Sequence, residues 1–311
     1  MREEGEENEE VVGTSSSSCC ASCGIAEVDD IKLKECDGCD LVKYCSAACM
    51  EDHKSEHEEE CKKRASELRD ELLFLQPEST HMGDCPICMI PLPIDAMKSN
   101  MHTCCSKLIC NGCYIANLMR EMEMGQAWSK CPFCREPAVN TDEEESKRTM
   151  KRIEIEDPVA MSHEGGKQYD RGDYNKAFDY LTMAVTLTND AEAHYHLSIM
   201  YNEGLGVEKD EGEFICHAEE AAIGGHPVAR HNLGAHEWNN DNTERALKHW
   251  IIAATQGFDL SMKELLKIFK QGYLEKDVLA ATLRAHKAAV DTTRNSQRDT
   301  GEKMVRKVYA R

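Results

Sequence analysis

No apolar run in this 311-residue chain approaches the roughly 18 residues that a membrane-spanning helix needs, so no membrane association of that kind is expected. The first half is poor in apolar runs of any length. A segment that buries so little apolar surface cannot offset the entropy of ordering its chain, and must draw stability from elsewhere. Positive charge is also short. There are 37 Lys and Arg against 57 Asp and Glu, a formal net charge of −20. That balance denies the chain the wide basic face with which proteins track phosphates, and points to protein partners rather than nucleic acid. An apolar export segment is lacking as well. Residues 1–18, MREEGEENEEVVGTSSSS, are acidic and then Ser-rich, and are expected to be disordered. An intracellular location, cytoplasm or nucleus, with reduced thiols, is the expectation. Cysteine is nearly absent beyond residue 134, where only Cys216 occurs.

What is present is the reverse of that last scarcity. All the other cysteines, out of 17, lie between Cys19 and Cys134. Five pairs share the Cys-x-x-Cys spacing: Cys20/Cys23, Cys36/Cys39, Cys85/Cys88, Cys110/Cys113 and Cys131/Cys134. In that spacing two thiolates of one tight turn grip a single tetrahedral ion. An odd cysteine count and the missing export segment argue against a disulfide framework. The first half is therefore expected to fold around zinc, each structural site supplying roughly 10–16 kcal/mol.

The first cluster orders its ligand pairs as Cys20/Cys23, Cys36/Cys39, Cys45/Cys49 and His57/Cys61. Eight ligands make two closed four-coordinate sites, structural rather than catalytic. Cys19 competes with Cys20, but only Cys20 has the Cys-x-x-Cys spacing to Cys23. His53 is read as a solvent-facing histidine. The ordered pairs, with YCSAAC at Tyr44–Cys49 and His57-x3-Cys61, resemble the MYND zinc finger. The resemblance implies interleaved sites: Cys20, Cys23, Cys45 and Cys49 on one ion, and Cys36, Cys39, His57 and Cys61 on the other. Two surface positions depart from the family, with Met50 in place of glutamine and Lys54 in place of an aromatic residue. These bear on the family's binding of proline-containing peptides, not on its metal fold.

The second cluster contains CPIC (85–88), TCC (103–105), CNGC (110–113) and CPFCRE (131–136). Its order resembles a RING finger. The resemblance implies one site of Cys85, Cys88, Cys110 and Cys113, and another of Cys104, Cys105, Cys131 and Cys134. The family's usual histidine position is Lys107 here, so the adjacent pair Cys104–Cys105 fills in, or His102 replaces one of them. Four zinc ions per chain follow from the two fingers. A RING finger does no covalent chemistry: it docks a ubiquitin-conjugating enzyme. Carried over, the docking candidates are Ile87 between the first two ligands, Pro132 after the seventh, and Arg135 after the eighth, where a planar guanidinium can bridge two acceptors. Trp128 is a further contact or a core residue.

The remainder is internally repetitive. Pro158, Gly165, Ala177 and Ala184 recur at one constant offset as Pro227, Gly234, Ala246 and Ala253. At a second, shorter offset Ala193 and Leu197 recur as Ala229 and Leu233, and Ala221–Ala222 recur as Ala253–Ala254 at one slightly shorter still. The run Leu197…Tyr201-x-x-Gly204-x-Gly206-Val207-x-x-Asp210, followed by Ala221-Ala222-x-Gly224, resembles Sel-one-like repeats, relatives of the tetratricopeptide repeat. Residues 158–187 are closer to a tetratricopeptide unit. A weaker unit at 260–291 keeps Leu266 and Ala288–Ala289. Four stacked helix pairs are expected, with a concave surface that grips proteins. Cys216 is read as a small buried apolar residue. His194, His196, His217, His226 and His231 scatter over loops and helix faces, and no metal site is expected from them.

The fold class is thus multidomain: two small zinc-stabilised, cross-braced fingers followed by an all-α helical-repeat solenoid. The segments are 1–18, a disordered start; 19–61, MYND-like; 62–80, a helical connector (a short helix over 62–75 stopped by Pro77); and 81–138, RING-like. After these come 139–157, a charged linker for which a helix over 141–157 is left open; 158–292, the solenoid; and 293–311, a polar basic tail read as a solvated end. The resemblances imply a RING-type ubiquitin ligase that holds its protein substrate through the solenoid or the first finger. The alternative is a non-enzymatic zinc-finger and repeat adaptor. DNA-binding regulation is opposed by the charge.

Overall fold

A computed structural model describes residues 19–28, 30–125, 129–139 and 141–309, with side chains to 304. Trp128 lies outside the described residues. The chain divides into two compact units, Met1–Leu73 and Phe74–Arg311.

In the first unit, β1 (Lys34–Glu35) and β2 (Lys43–Tyr44) pair antiparallel with Lys34 opposite Tyr44. A single long helix follows, α1 (Ala47–Leu73). The helix expected over 62–75 is therefore the second half of a longer one that starts at Ala47, inside the finger. The ligand-bearing stretch Cys49, His57, Cys61 already has helical spacing, because residues four apart share a helix face. Arg64 clamps the helix to the knuckle before it, with Nε 2.7 Å and Nη2 2.8 Å from the two Asp40 carboxylate oxygens.

The second unit opens with another finger: β3 (Ser99–His102), β4 (Lys107–Cys110) and α2 (Asn111–Glu123). The strands pair from Ser99 opposite Cys110 to His102 opposite Lys107. Then come α3 (Asp142–Ile153) and four helix pairs. The pairs are α4 (Pro158–Asp170) with α5 (Tyr174–Leu187), and α6 (Ala191–Glu203) with α7 (Glu211–Ile223). They continue as α8 (Pro227–Asn239) with α9 (Thr243–Thr255), and α10 (Asp259–Lys270) with α11 (Lys276–Thr292). The last element is α12 (Ser296–Tyr309).

The repeat offset has a packing meaning. A Cβ on Gly165 would stand 2.7 Å from the Leu181 side chain, and one on Gly234 would stand 2.6 Å from Trp250 Nε1. Leu181 and Trp250 are related by the same offset as the two glycines. The glycines let paired helices close on a large side chain at the same crossing. Asp157 caps α4 by accepting from the Val159 amide, and its repeat equivalent His226 caps α8 by accepting from Ala229. Pro158 and Pro227 occupy the first turns. The solenoid core is alanine-rich, with Ala177, Ala193, Ala218, Ala221, Ala229, Ala246 and Ala253 all fully buried around Leu181, Leu197 and Leu265.

The charged linker contains the helix its sequence allowed, and that helix is docked: in α3, Thr149 and Ile153 are buried and Arg148 Nη1 donates to the Pro137 carbonyl at 2.8 Å. Three expectations need correction. Leu266 is 38% exposed, and Leu265 takes the core position instead. Cys216 is exposed, because the α7 face that turns inward is set by Phe214 and Ala218. The segment after 293 is not a solvated end. It forms α12 and packs on α2, with Arg298 only 4% exposed.

Candidate metal centres

Each of the four sequence-predicted ligand sets converges, with its donor atoms within 4.8 Å of one another. They are Cys20, Cys23, Cys45 and Cys49; Cys36, Cys39, His57 and Cys61; Cys85, Cys88, Cys110 and Cys113; and Cys104, Cys105, Cys131 and Cys134. In both fingers the sets interleave along the chain.

The knuckles explain why. After Cys20-x-x-Cys23, Cys85-x-x-Cys88 and Cys131-x-x-Cys134, the next residue is Gly24, Met89 or Arg135, with φ of 72°, 55° and 62°. Its amide donates back to the carbonyl of the first cysteine at 2.9, 2.8 and 3.1 Å. One left-handed residue thus folds each pair of thiols onto the same side. Glycine adopts that conformation freely, while Met89 and Arg135 do so at a steric cost.

The donor spacings suit a tetrahedral ion. With Zn–S about 2.3 Å, neighbouring sulfurs should lie about 3.8 Å apart. Sulfur pairs Cys23–Cys45 and Cys45–Cys49 are at 3.6 Å, Cys36–Cys61 at 3.7 Å and Cys88–Cys110 at 3.9 Å. Cys39 Sγ lies 3.2 Å from His57 Nε2. Cys104–Cys134 at 3.3 Å and Cys105–Cys131 at 3.7 Å complete the last site. The adjacent cysteines reach one point because the β3–β4 turn is sharp. The amides of Cys105 and Ser106 both donate to the His102 carbonyl, and Ser106 has φ of 53°. His102 stays outside that group, its ring packed toward Tyr114 and Phe133.

Electrostatics call for a cation. Burial would raise the Cys20 thiol, but backbone amides of Cys23, Cys45 and Ser22 outweigh it and bring it to about 6. Cys85 is likewise brought to about 7, burial being overcome by the amides of Cys110, Cys88 and Ile87. Their neighbours go the other way. Cys45 is pushed to about 12 by the Cys23 and Cys49 thiols. Burial and the Cys36 thiol push Cys61 to about 12, and burial and Cys131 push Cys105 to about 11. Thiols this close cannot all ionise by themselves; a divalent ion between them removes the conflict. The residues present fit zinc.

Several supporting residues escape a motif reading. His53 is not solvent-facing. Its Nδ1 is 3.1 Å from the Tyr44 hydroxyl, and its ring stacks on His57 at 5.7 Å. Its spacing of four from His57 was the available signal. Of the docking candidates, Ile87 is 42% exposed, Pro132 is half-buried, and Arg135 is exposed with Nη1 4.0 Å from the buried Glu121 carboxylate. Nothing in the local sequence marks Glu121.

A fifth convergence has different chemistry. His81 Nε2 and His226 Nε2 lie 3.0 and 3.2 Å from Glu192 Oε2, and His196 Nε2 lies 3.4 Å from Oε1. His226 Nδ1 accepts from the Ala229 amide, so its proton is on Nε2 and is donated to Glu192. Among the described residues, Nδ1 of His81 and of His196 has no hydrogen-bond partner, whereas a ligating histidine donates its second N–H. The group is a hydrogen-bonded junction that holds residue 81 to α6 and α8. His194 pairs with His217 through Nδ1 atoms 2.8 Å apart, and His231 Nδ1 lies 2.9 Å from the Ser261 hydroxyl.

Comparison with known proteins agrees with the first finger. Residues 20–61 match the MYND finger family. A 57-residue stretch is 37% identical to rat (Rattus norvegicus) DAP3-binding cell death enhancer 1, covering 18% of this chain and 11% of that protein. Among solved structures, a Sel1 repeat protein from Oxalobacter formigenes has a TM-score of 0.43 and 18% identity, over 62% of this chain and 86% of that one. A protective antigen of uropathogenic Escherichia coli with an SLR fold has a TM-score of 0.39 and 20% identity, over 53% and 37%. The chain therefore carries a MYND finger and further cysteine clusters compatible with zinc, followed by a helical region whose paired helices recur at constant sequence offsets. Among the described residues, no helix is long and apolar enough to cross a membrane.

Proposed function

We propose that the second finger is a RING-type finger, that the two fingers hold four zinc ions, and that the protein is a ubiquitin ligase. The observation that carries this reading is Ile87. It is a large apolar side chain, 42% exposed, on a knuckle whose conformation is fixed by metal ligands on either side of it. Met89 and Phe133 are exposed on the same two knuckles that carry Ile87 and Arg135. Apolar side chains held out by a rigid scaffold suit docking of a conjugating enzyme. Zinc would supply rigidity and no catalytic step. The solenoid or the MYND finger would hold the protein substrate.

The test is autoubiquitination by zinc-replete folded protein with a panel of conjugating enzymes. Chain formation is expected, and its loss in Ile87→Ala with zinc retained. No product with any enzyme overturns the reading. Elemental analysis should return four zinc ions per chain; two or fewer would show that one finger was misread.

A further inference from the structure

The inner face of α12 meets the second finger at the Cys85, Cys88, Cys110 and Cys113 site. Arg298 Nη2 lies 3.4 Å from Cys88 Sγ and donates to the Ile90 carbonyl at 2.9 Å. Its Nη1 donates to the carbonyls of Pro91 at 2.6 Å and Thr293 at 2.8 Å. Gln297 Nε2 reaches the Gly112 carbonyl at 3.3 Å and Cys113 Sγ at 3.8 Å. The helices touch through backbone, since a Cβ on Gly301 would stand 2.8 Å from Gly112 Cα.

A guanidinium that is 4% exposed needs a compensating negative charge, because removing a lone ion from water costs several kcal/mol. Among the described residues, no carboxylate forms an ion pair with Arg298. The groups beside it that would carry that charge are the metal-ligating cysteines, with Cys88 Sγ 3.4 Å from its Nη2. Four thiolates around a divalent ion carry a net charge of −2. Arg298 therefore meets a charge that exists in full only when the site is built.

We propose that α12 is a component of this metal site: Arg298, and secondarily Gln297, donate to its thiolates from the outer shell, and Arg298 fixes the 88–91 loop next to Ile87. The C-terminal helix thereby governs metal retention at one site of the second finger and the set of the exposed Ile87–Met89 knuckle. The inference stands apart from the ligase reading, since its readout is metal retention.

The experiment uses the zinc-loaded full chain challenged with EDTA and N-ethylmaleimide, with each cysteine's alkylation rate followed by peptide mass spectrometry. In Arg298→Gln, Cys85, Cys88, Cys110 and Cys113 should be labelled about 10- to 100-fold faster, the usual cost of removing an outer-shell partner. Cys104, Cys105, Cys131 and Cys134, and the first finger, should keep their rates. Arg298→Lys, which keeps the charge and loses the fork, should fall between. If Arg298→Gln does not fold, Gly301→Val is read the same way, because it displaces α12 with Arg298 intact. Unchanged rates at the four cysteines, or equal acceleration of all cysteines, would overturn the proposal.

Discussion

Gly112 of α2 and Gly301 of α12 meet backbone against backbone, although they stand near opposite ends of the second unit's sequence. A Cβ on Gly112 would stand 2.8 Å from the Arg298 backbone. Neither helix can rotate a main chain away, so the contact tolerates no side chain without separating the helices.

That contact sets the sign of a substitution. Gly→Ala inside a helix ordinarily gains about 1 kcal/mol of propensity. Against it stands overpacking of about 1–3 kcal/mol, at the upper end where the obstacle is backbone. Gly112→Ala is expected to lower the thermal midpoint of the second unit despite its better helix propensity. A midpoint equal to or above wild type in circular dichroism melting would show that the helices part freely.

The repeat glycines should differ from each other. At Gly234 the obstacle is Trp250, whose Nε1 donates to the His231 carbonyl at 3.1 Å and which is buried. At Gly165 it is the smaller Leu181 side chain, whose apolar end makes no hydrogen bond that a shift would break. Gly234→Ala should cost more than Gly165→Ala by about 1 kcal/mol. Urea unfolding of the two variants measures the difference, and the reverse order would mean that Trp250 is not fixed in place.

Sequence carries some of these relationships and hides others, for physical reasons. Metal ligands are legible because a tetrahedral ion forces a short spacing on each pair of donors. The left-handed Met89 and Arg135 were not, since only Gly24 announces such a conformation in its residue type. Repeat offsets expose the solenoid, but in the weakest unit they slipped by one position, to Leu266 instead of Leu265. In a helix that slip turns the side chain by about 100°. Arg298 gave no local signal. Its partners in the second finger are 207 to 210 residues distant, and a basic residue in a polar segment resembles any solvated one.

Arg135 offers a functional test within the proposed ligase reading. Its side chain is 69% exposed and leans toward Glu121. A charge-assisted hydrogen bond of roughly 1.5–3 kcal/mol to an incoming partner corresponds to about 10- to 100-fold in rate. Arg135→Ala should slow ubiquitin discharge by that factor with unchanged zinc content, and Arg135→Lys should recover little of it, lacking the planar fork. Single-turnover discharge assays read the effect. Full activity in Arg135→Ala would remove Arg135 from the docking set.

The buried histidines give the solenoid an acid sensitivity whose sign can be worked out. His249 is fully buried against Phe74, and neither ring nitrogen has a hydrogen-bond partner among the described residues. Burial, then the charges of Arg230 and Arg245, push it down to about 3. In the unfolded chain a histidine takes up its proton near 6.5. Between those values the unfolded state binds a proton that the folded state refuses, so stability falls as pH drops below about 6.5. Between pH 7 and pH 5 this one group should remove about 2 kcal/mol. His226 and His194, each pushed down to about 4 chiefly by burial, act in the same direction. His249→Leu deletes two unsatisfied buried nitrogens and should narrow the stability gap between pH 7 and pH 5 by that amount. Because His226, His194 and the metal sites remain, part of the gap should persist. Urea unfolding at the two pH values decides it: an unchanged gap would mean that His249 is protonated in the folded protein or reaches solvent.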